Sequence, residues 1–277
     1  MNDLLLGNEV AIRLGFFAAI FAFMAIWEVL APRRTGQVTR RSRWLGNLGI
    51  VVLNTLLLRF VMPTTAVGLA LATETAGWGL LQQIDLPLWS SSLFAIVCLD
   101  LAIYLQHVMF HAVPVLWRLH RMHHADLAFD VTTGARFHPI EIILSMLIKL
   151  IVIAALGPPA VAVLIFEVLL NTLAMFNHAN ARLPLGFDNS LRRVIVTPDM
   201  HRVHHSVVPQ ETNSNFGFNL AIWDRWFGTY CAQPEAGHQA MSIGISSFRT
   251  EHDLALHRML LQPFKRSVDI YPINKMQ

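Results

Sequence analysis

Cysteine is almost absent from this chain: there are two in 277 residues, Cys98 inside an apolar run and Cys231 beside an aromatic one. Two thiols build no disulfide framework, no four-thiolate iron–sulfur cluster and no zinc ribbon, so any metal must be held by nitrogen or oxygen. Charge is scarce as well. Only 14% of residues are charged against 54% hydrophobic, which excludes an ordinary water-soluble domain and describes a chain whose solvent is largely lipid. Acids are missing from Pro32 to Arg43, where Arg33, Arg34, Arg40, Arg41 and Arg43 fall together. Because that run directly follows an apolar segment, it reads as a cytoplasmic loop obeying the positive-inside rule, and no nucleic-acid partner is expected. Histidine is missing up to position 106, and thirteen lie beyond it, about twice the number expected of such a length.

The apolar stretch Val10 to Leu30 is long enough to cross a hydrocarbon core of about 30 Å as a helix, with Arg13 and Glu28 near its ends where they can snorkel. It is preceded by acids and lacks a small-residue cleavage site, so a retained span is expected, not a cleaved leader. Leu45 to about Ala72 is a second apolar stretch, broken by Arg59 and Pro63 and expected to kink there or lie partly in the interface. Leu86 to Gln106 is a third and runs straight into the first histidines. Ile140–Leu156 and Pro158–Phe176 form a hairpin around the turn signal Gly157-Pro158-Pro159. The expected fold is an all-α integral membrane protein of four to five transmembrane helices with a cytosolic helical cap. Three regions follow: N-terminal spans and basic loop (1–94), a histidine-rich domain containing the hairpin 140–176 (95–232), and a cytosolic tail (233–277). With the arginine loop in the cytoplasm, every clustered histidine emerges on that same side.

His107 and His111 lie four apart at the end of a predicted helix, so both imidazoles project from one face. The pentads His120-Arg121-Met122-His123-His124 and His201-Arg202-Val203-His204-His205 are near duplicates. On a helix the i and i+4 members share a face and the i+3 member sits beside them, which lets one pentad serve two metals a few ångströms apart. With His178 there are nine candidate ligands, more than one metal accepts, so two metals are the economical reading. Neutral imidazole suits iron, zinc, copper and nickel alike, and spacing does not choose among them. His238, His252 and His257 read as interfacial polar residues. His138 is either a ligand, a support for one, or the residue opening the next helix, and Glu141 could orient an imidazole or cap that helix. Tyr104 and Asp100, one and two turns before His107, could hydrogen-bond imidazoles or pair within the bundle, and Asp199 flanks the last pentad. The aromatic stretch Phe216–Tyr230 reads as an interfacial belt rather than a substrate box.

Together these residues resemble the fatty acid hydroxylase and sterol desaturase superfamily of membrane-bound di-iron oxygenases. The resemblance runs from Asp100-x-x-x-Tyr104-x-x-His107-x-x-x-His111 through Trp117-Arg118-x-His120-x-x-His123-His124. It continues with Asp130-Val131-Thr132-Thr133-Gly134-x-Arg136-x-His138-Pro139-x-Glu141, His178 and Pro198-Asp199-x-His201-x-x-His204-His205. It ends with Asn215-Phe216-Gly217 and Trp223-Asp224-Arg225-Trp226-Phe227-Gly228-Thr229. It implies two irons held by the nine histidines, with zinc as a possible substitute in purified protein. It also implies dioxygen as co-substrate and hydroxylation or desaturation of a lipophilic substrate drawn from the membrane: a sterol, fatty acyl lipid, ether lipid or carotenoid. No haem carrier motif is present, so a separate electron donor, a ferredoxin or cytochrome with its reductase, is implied. No retention signal is seen at Lys275-Met276-Gln277, which favours a bacterial inner membrane over an endoplasmic reticulum. Two other classes use histidine. A metal-dependent membrane hydrolase would show H-E-x-x-H or carboxylates among the histidines, and a metal transporter would place them at mid-membrane; neither pattern occurs.

Overall fold

The computed structural model describes residues 2–35, 38–62, 64–266 and 271–273; Pro63 and Lys275-Met276-Gln277, both used above, lie outside the described residues. Those residues form fourteen α-helices and no strand, with only isolated bridges such as Pro32 to Ala181. The membrane part comprises α1 (Asn2–Gly7), α2 (Glu9–Leu30), α3 (Arg40–Val61), α4 (Ala66–Ala76) and α5 (Leu88–Ala112). After α6 (Pro114–His124) come the hairpin helices α7 (Pro139–Leu156) and α8 (Ala160–Asn177). Short helices complete the chain: α9 (Leu185–Leu191), α10 (Pro198–His204), α11 (Pro209–Thr212), α12 (Ile222–Trp226), α13 (Gly237–Ala240) and α14 (Leu256–Leu261).

Five segments are long and apolar enough to cross a bilayer: α2, α3 with α4, α5, α7 and α8. The second apolar stretch is thus two helices, α3 ending at Val61 and α4 starting at Ala66 behind its Thr65 cap, whose hydroxyl accepts from Gly68 N. α8 packs against α2, α4 and α5, and the shared core holds Ala66, Ala70, Leu99, Ile153, Val163 and Phe166. Small residues there let the helices approach closely. Outward, Phe16, Phe23, Val52, Phe60, Leu93 and Ile151 are exposed, the surface expected of a protein solvated by lipid. The hairpin turns at Gly157, whose φ of +58° and contact with the Trp78 carbonyl both exclude a side chain.

Charges inside this bundle are paired. Glu167 of α8 receives Lys149 of α7 at 2.7 Å and Arg13 of α2 at 2.9 Å. Glu28 does not snorkel: it is 1% exposed and accepts the backbone N–H groups of Val131 and Asn180, both at 2.7 Å. Arg43 likewise is no loop charge but a buried pin, its guanidinium bridging Asp126 and Asp130. Arg33 is bound to Asp199. Hydropathy assigned these groups to the surface; their partners, far away in sequence, bring them inside. They tie the basic loop to the end of the bundle on which the histidine segments sit.

Candidate dimetal centre

Each histidine segment has a local reason for its shape. α6 opens with Pro114 in its first turn, where a missing N–H costs nothing, and α10 opens with Thr197, whose hydroxyl accepts from Met200 N, followed by Pro198. His178 caps the C-terminus of α8, and His107 and His111 lie in the last two turns of α5. The nine side chains meet in two buried groups. His107, His111, His120, His124 and His204 form one, and His123, His178, His201 and His205 the other. Within each, one nitrogen from every residue lies within 4.8 Å of all the others.

The two pentads trade members. Each gives its i and i+4 histidines to one group and its i+3 histidine to the other, because α6 and α10 face each other across the site. The groups are neighbours: His120 and His123 have ring centroids 5.2 Å apart, and His201 and His204 5.1 Å. Phe216 packs on His107, His111 and His204, Phe137 stacks on His123 at 4.5 Å, and Phe129 lies against His178 and His205. Burial in these apolar walls pushes the imidazoles of His120 and His178 down to about 3, and those of His123, His124, His201, His204 and His205 well below the usual range. They are neutral at physiological pH, and a neutral imidazole has a lone pair to give.

Hydrogen bonds decide which nitrogen carries that lone pair. His107 Nδ1 donates to the Phe216 carbonyl at 2.8 Å, His204 Nδ1 to the Ser214 carbonyl at 2.7 Å, and His178 Nδ1 to the Ala174 carbonyl at 2.8 Å. His120 Nδ1 meets Glu141 Oε1 at 2.6 Å, and His111 Nδ1 meets Asn213 Oδ1 at 3.0 Å. A carbonyl only accepts, so the proton sits on Nδ1 and the lone pair on Nε2. Yet His107 Nε2 and His120 Nε2 lie 3.1 Å apart. Where His120 Nδ1 donates to an ionised Glu141, two lone pairs at that distance repel unless a cation lies between them, and ligands at right angles on one ion, each about 2.1 Å from it, are about 3 Å apart. Nε2 of His111, His124 and His204 likewise have no hydrogen-bond partner. The donor set therefore fits a metal, and Glu141 and the carbonyls are the partners that metal-bound imidazoles need on their far side.

A family model for fatty acid hydroxylases matches residues 92–229, half of the chain. The chain belongs to the fatty acid hydroxylase and sterol desaturase superfamily. It is 31% identical over 180 residues to an ornithine lipid hydroxylase, OlsE, of Rhizobium tropici, covering 65% of this chain and 52% of that protein. It is 29% identical over 185 residues to an alkylglycerol monooxygenase of Xenopus tropicalis (65% and 40%) and over 161 residues to the human one (58% and 34%). The chain thus spans about half the length of the bacterial relative and less of the animal ones. No solved structure matches.

Other residues of the superfamily pattern fall into distinct places. Glu141 reaches one of the nine clustered imidazoles, whereas Asp100, Tyr104, His138 and Asp199 do not. Asp100 accepts from Trp223 Nε1 at 2.8 Å and Leu220 N at 3.2 Å. His138 caps α7 by accepting from Ile140 N, its other nitrogen facing the Leu260 carbonyl. Asp199 holds Arg33 and Arg202. Tyr104 acts at a distance. Its hydroxyl donates to Thr229, Thr229 to Asp224, and Asp224 accepts the N–H of Phe216, whose carbonyl takes the His107 proton. Asn215 adopts φ +51°, which asparagine tolerates, and a side chain at Gly217 would strike Asp224 at 2.6 Å. The Asn215-Phe216-Gly217 motif is thus a backbone device for presenting one carbonyl.

The aromatic stretch accordingly divides: Phe216 and Trp223 are buried, while only Trp226 and Phe227 are exposed as a belt would be. His252 and His257 are exposed as expected, but His238 is buried, with Nε2 3.6 Å from Asp199. One residue, Asn213, and the role of a second, Gly134, escaped the sequence reading. Asn213 supports His111, and Gly134 lies so close to α8 that a methyl group there would sit 2.7 Å from the Ala174 carbonyl and 3.1 Å from His178 Nδ1. Asparagine in a polar loop gives no signal of its own, but the glycine's place in the superfamily pattern is a clue.

Proposed function

We propose that the protein is a membrane-bound non-haem di-iron lipid hydroxylase. One oxygen atom of dioxygen enters a C–H bond of the lipid, giving an alcohol, and the other leaves as water after two electrons and two protons are supplied from outside. The nine histidines hold the two irons, and residues 95–232 are the oxygenase domain. The observation that carries this reading is the pair of adjoining groups, five and four neutral imidazoles, with no carboxylate in either. A metal-dependent hydrolase would need a carboxylate positioned as base; among the described residues Asp126 is held by Arg43, and Glu141 is occupied on His120 Nδ1.

Iron bound there supplies the reduction of dioxygen; the rest is done by the chain. Glu141, Asn213 and the carbonyls of Ala174, Ser214 and Phe216 keep protons on Nδ1 and the rings in place. Phe129, Phe137 and Phe216 exclude water, which would otherwise drain the oxidising power of the site. The position at one end of an apolar bundle suits a substrate arriving from the bilayer. Electrons come from a separate ferredoxin or cytochrome with its reductase. The histidine side is cytoplasmic by the positive-inside argument, in a bacterial inner membrane. The relatives' names, a hydroxylase and monooxygenases, favour hydroxylation over desaturation, and polar-headed acyl or ether lipids over sterols or carotenoids.

Cells expressing the protein under isotopically labelled dioxygen should accumulate a lipid carrying one labelled oxygen, absent from cells expressing His205→Ala. Label entering from water instead would overturn the reading in favour of a hydrolase.

A further inference from the structure

A cavity of about 320 Å³ lies where α2 ends, beneath the basic loop, lined by Arg34, Arg40, Arg43, Glu28, Asp130 and Phe129 among others. Most of its charge is neutralised internally. Arg43 and Asp130 pair with each other, and Glu28 takes two backbone N–H groups and faces Arg40 at 3.7 Å. Arg34 is different. Its Nη2 donates to the Met241 carbonyl at 2.7 Å, its Nη1 is buried without a partner, and among the described residues no carboxylate pairs with it. Burial and the neighbouring Arg33 both lower its pKa, the mark of a cation lacking its anion.

Beside the cavity lies an apolar groove between α2 and α3, lined by Ala25, Ile26, Val29, Leu30 and Trp44 and sharing Val29 and Arg40 with it. The groove lies along the last turns of α2 at the loop end, and Ile26, Val29 and Leu30 are exposed where that helix faces lipid. On the other side stands Phe129, 4% exposed, whose ring lies 5.5 Å from that of His178 and 5.1 Å from that of His205. One aromatic ring separates the cavity from the four-histidine group.

We propose that cavity and groove together bind the substrate, and that the substrate is a lipid with an anionic head group. Its phosphate or carboxylate oxygens lie on Arg34 and Arg40, and its chain lies in the groove. Guanidinium groups pair strongly with such anions, more so where water is excluded. Because Phe129 lines the cavity and not the groove, a lipid held by its head offers Phe129 and the metal group the carbons nearest that head, not the far end of the chain. This assignment of substrate class rests on the lipid hydroxylase reading above.

The test is binding, read without turnover. Full-length protein in an uncharged maltoside detergent is titrated with dodecyl phosphate and, separately, with dodecanol, in metal-loaded and chelator-treated form. Arg34→Gln with Arg40→Gln should weaken dodecyl phosphate roughly tenfold or more while leaving dodecanol unchanged. Arg40→Gln alone, a change at a side chain 43% exposed and so safe for folding, should weaken it several-fold. Val29→Trp, which fills the groove, should weaken both probes. Arg41→Gln, in the same basic run but outside the cavity, should change neither. The proposal is overturned if the double variant, with metal content intact, binds dodecyl phosphate as the parent does, or if Arg41→Gln weakens it as much as Arg40→Gln. Such a result would leave metal content and oxygen incorporation untouched, whereas loss of those would leave the binding result standing.

Discussion

The two histidine groups are built from the same kind of residue at the same burial, yet they are held differently. In the group of five, four imidazoles have Nδ1 fixed by a partner: Phe216 O, Ser214 O, Asn213 Oδ1 and Glu141. In the group of four only His178 is so fixed, on the Ala174 carbonyl, while Nδ1 of His123, His201 and His205 has no partner. A tethered ring has its tautomer and direction settled before metal arrives, and an untethered ring must be ordered by the metal itself. The better-tethered group also has the extra ligand. The group of four adjoins Phe129 and the cavity beyond it, and its rings are the ones free to adjust.

Ligand removal should break this contrast most sharply. His205→Ala leaves three ligands, one of them tethered, and should cost that group about 100-fold or more in metal affinity with near-complete loss of hydroxylation. His204→Ala leaves four, three of them tethered, and should retain more of its metal; metal titration of both variants gives the comparison. Chelation should separate the groups next. Release should be biphasic, one equivalent per chain leaving first, and the fast phase should be missing from His205→Ala. Glu141→Gln removes the carboxyl group that holds His120 Nδ1 and should weaken the group of five by about tenfold without altering the group of four. The smallest effect is expected at Asp100→Asn. It loosens Trp223 and the Leu220 backbone, costing about 1–2 kcal/mol in thermal unfolding, with metal content unchanged.

The membrane spans and the pooling of histidines at one end were legible because hydropathy and the 3.6-residue period are local signals. The i, i+3, i+4 spacing also gave the central idea, that a pentad can serve two metals. Which histidine joins which group was not legible, since His123 and His204 cross over only because α6 and α10 face each other. Nor were the tethers, as three of the five are backbone carbonyls, which carry no residue signature. Glu28 and Arg43 misled for a related reason. Each is a charge at the edge of an apolar helix, indistinguishable by sequence from a snorkelling one, and its burial depends on Val131, Asn180, Asp126 and Asp130. Asp100 was even-handed in the sequence and is resolved by Trp223, more than a hundred residues downstream.

The central claim is that one chain holds two metals in unequal groups, and counting them tests it most directly. Elemental analysis with Mössbauer spectroscopy on protein purified from iron-replete cells in mild detergent should give two irons per chain, and one in His205→Ala, with the remaining signal that of the five-histidine group. A single metal in the parent protein, or two that survive both His204→Ala and His205→Ala unchanged, would contradict it.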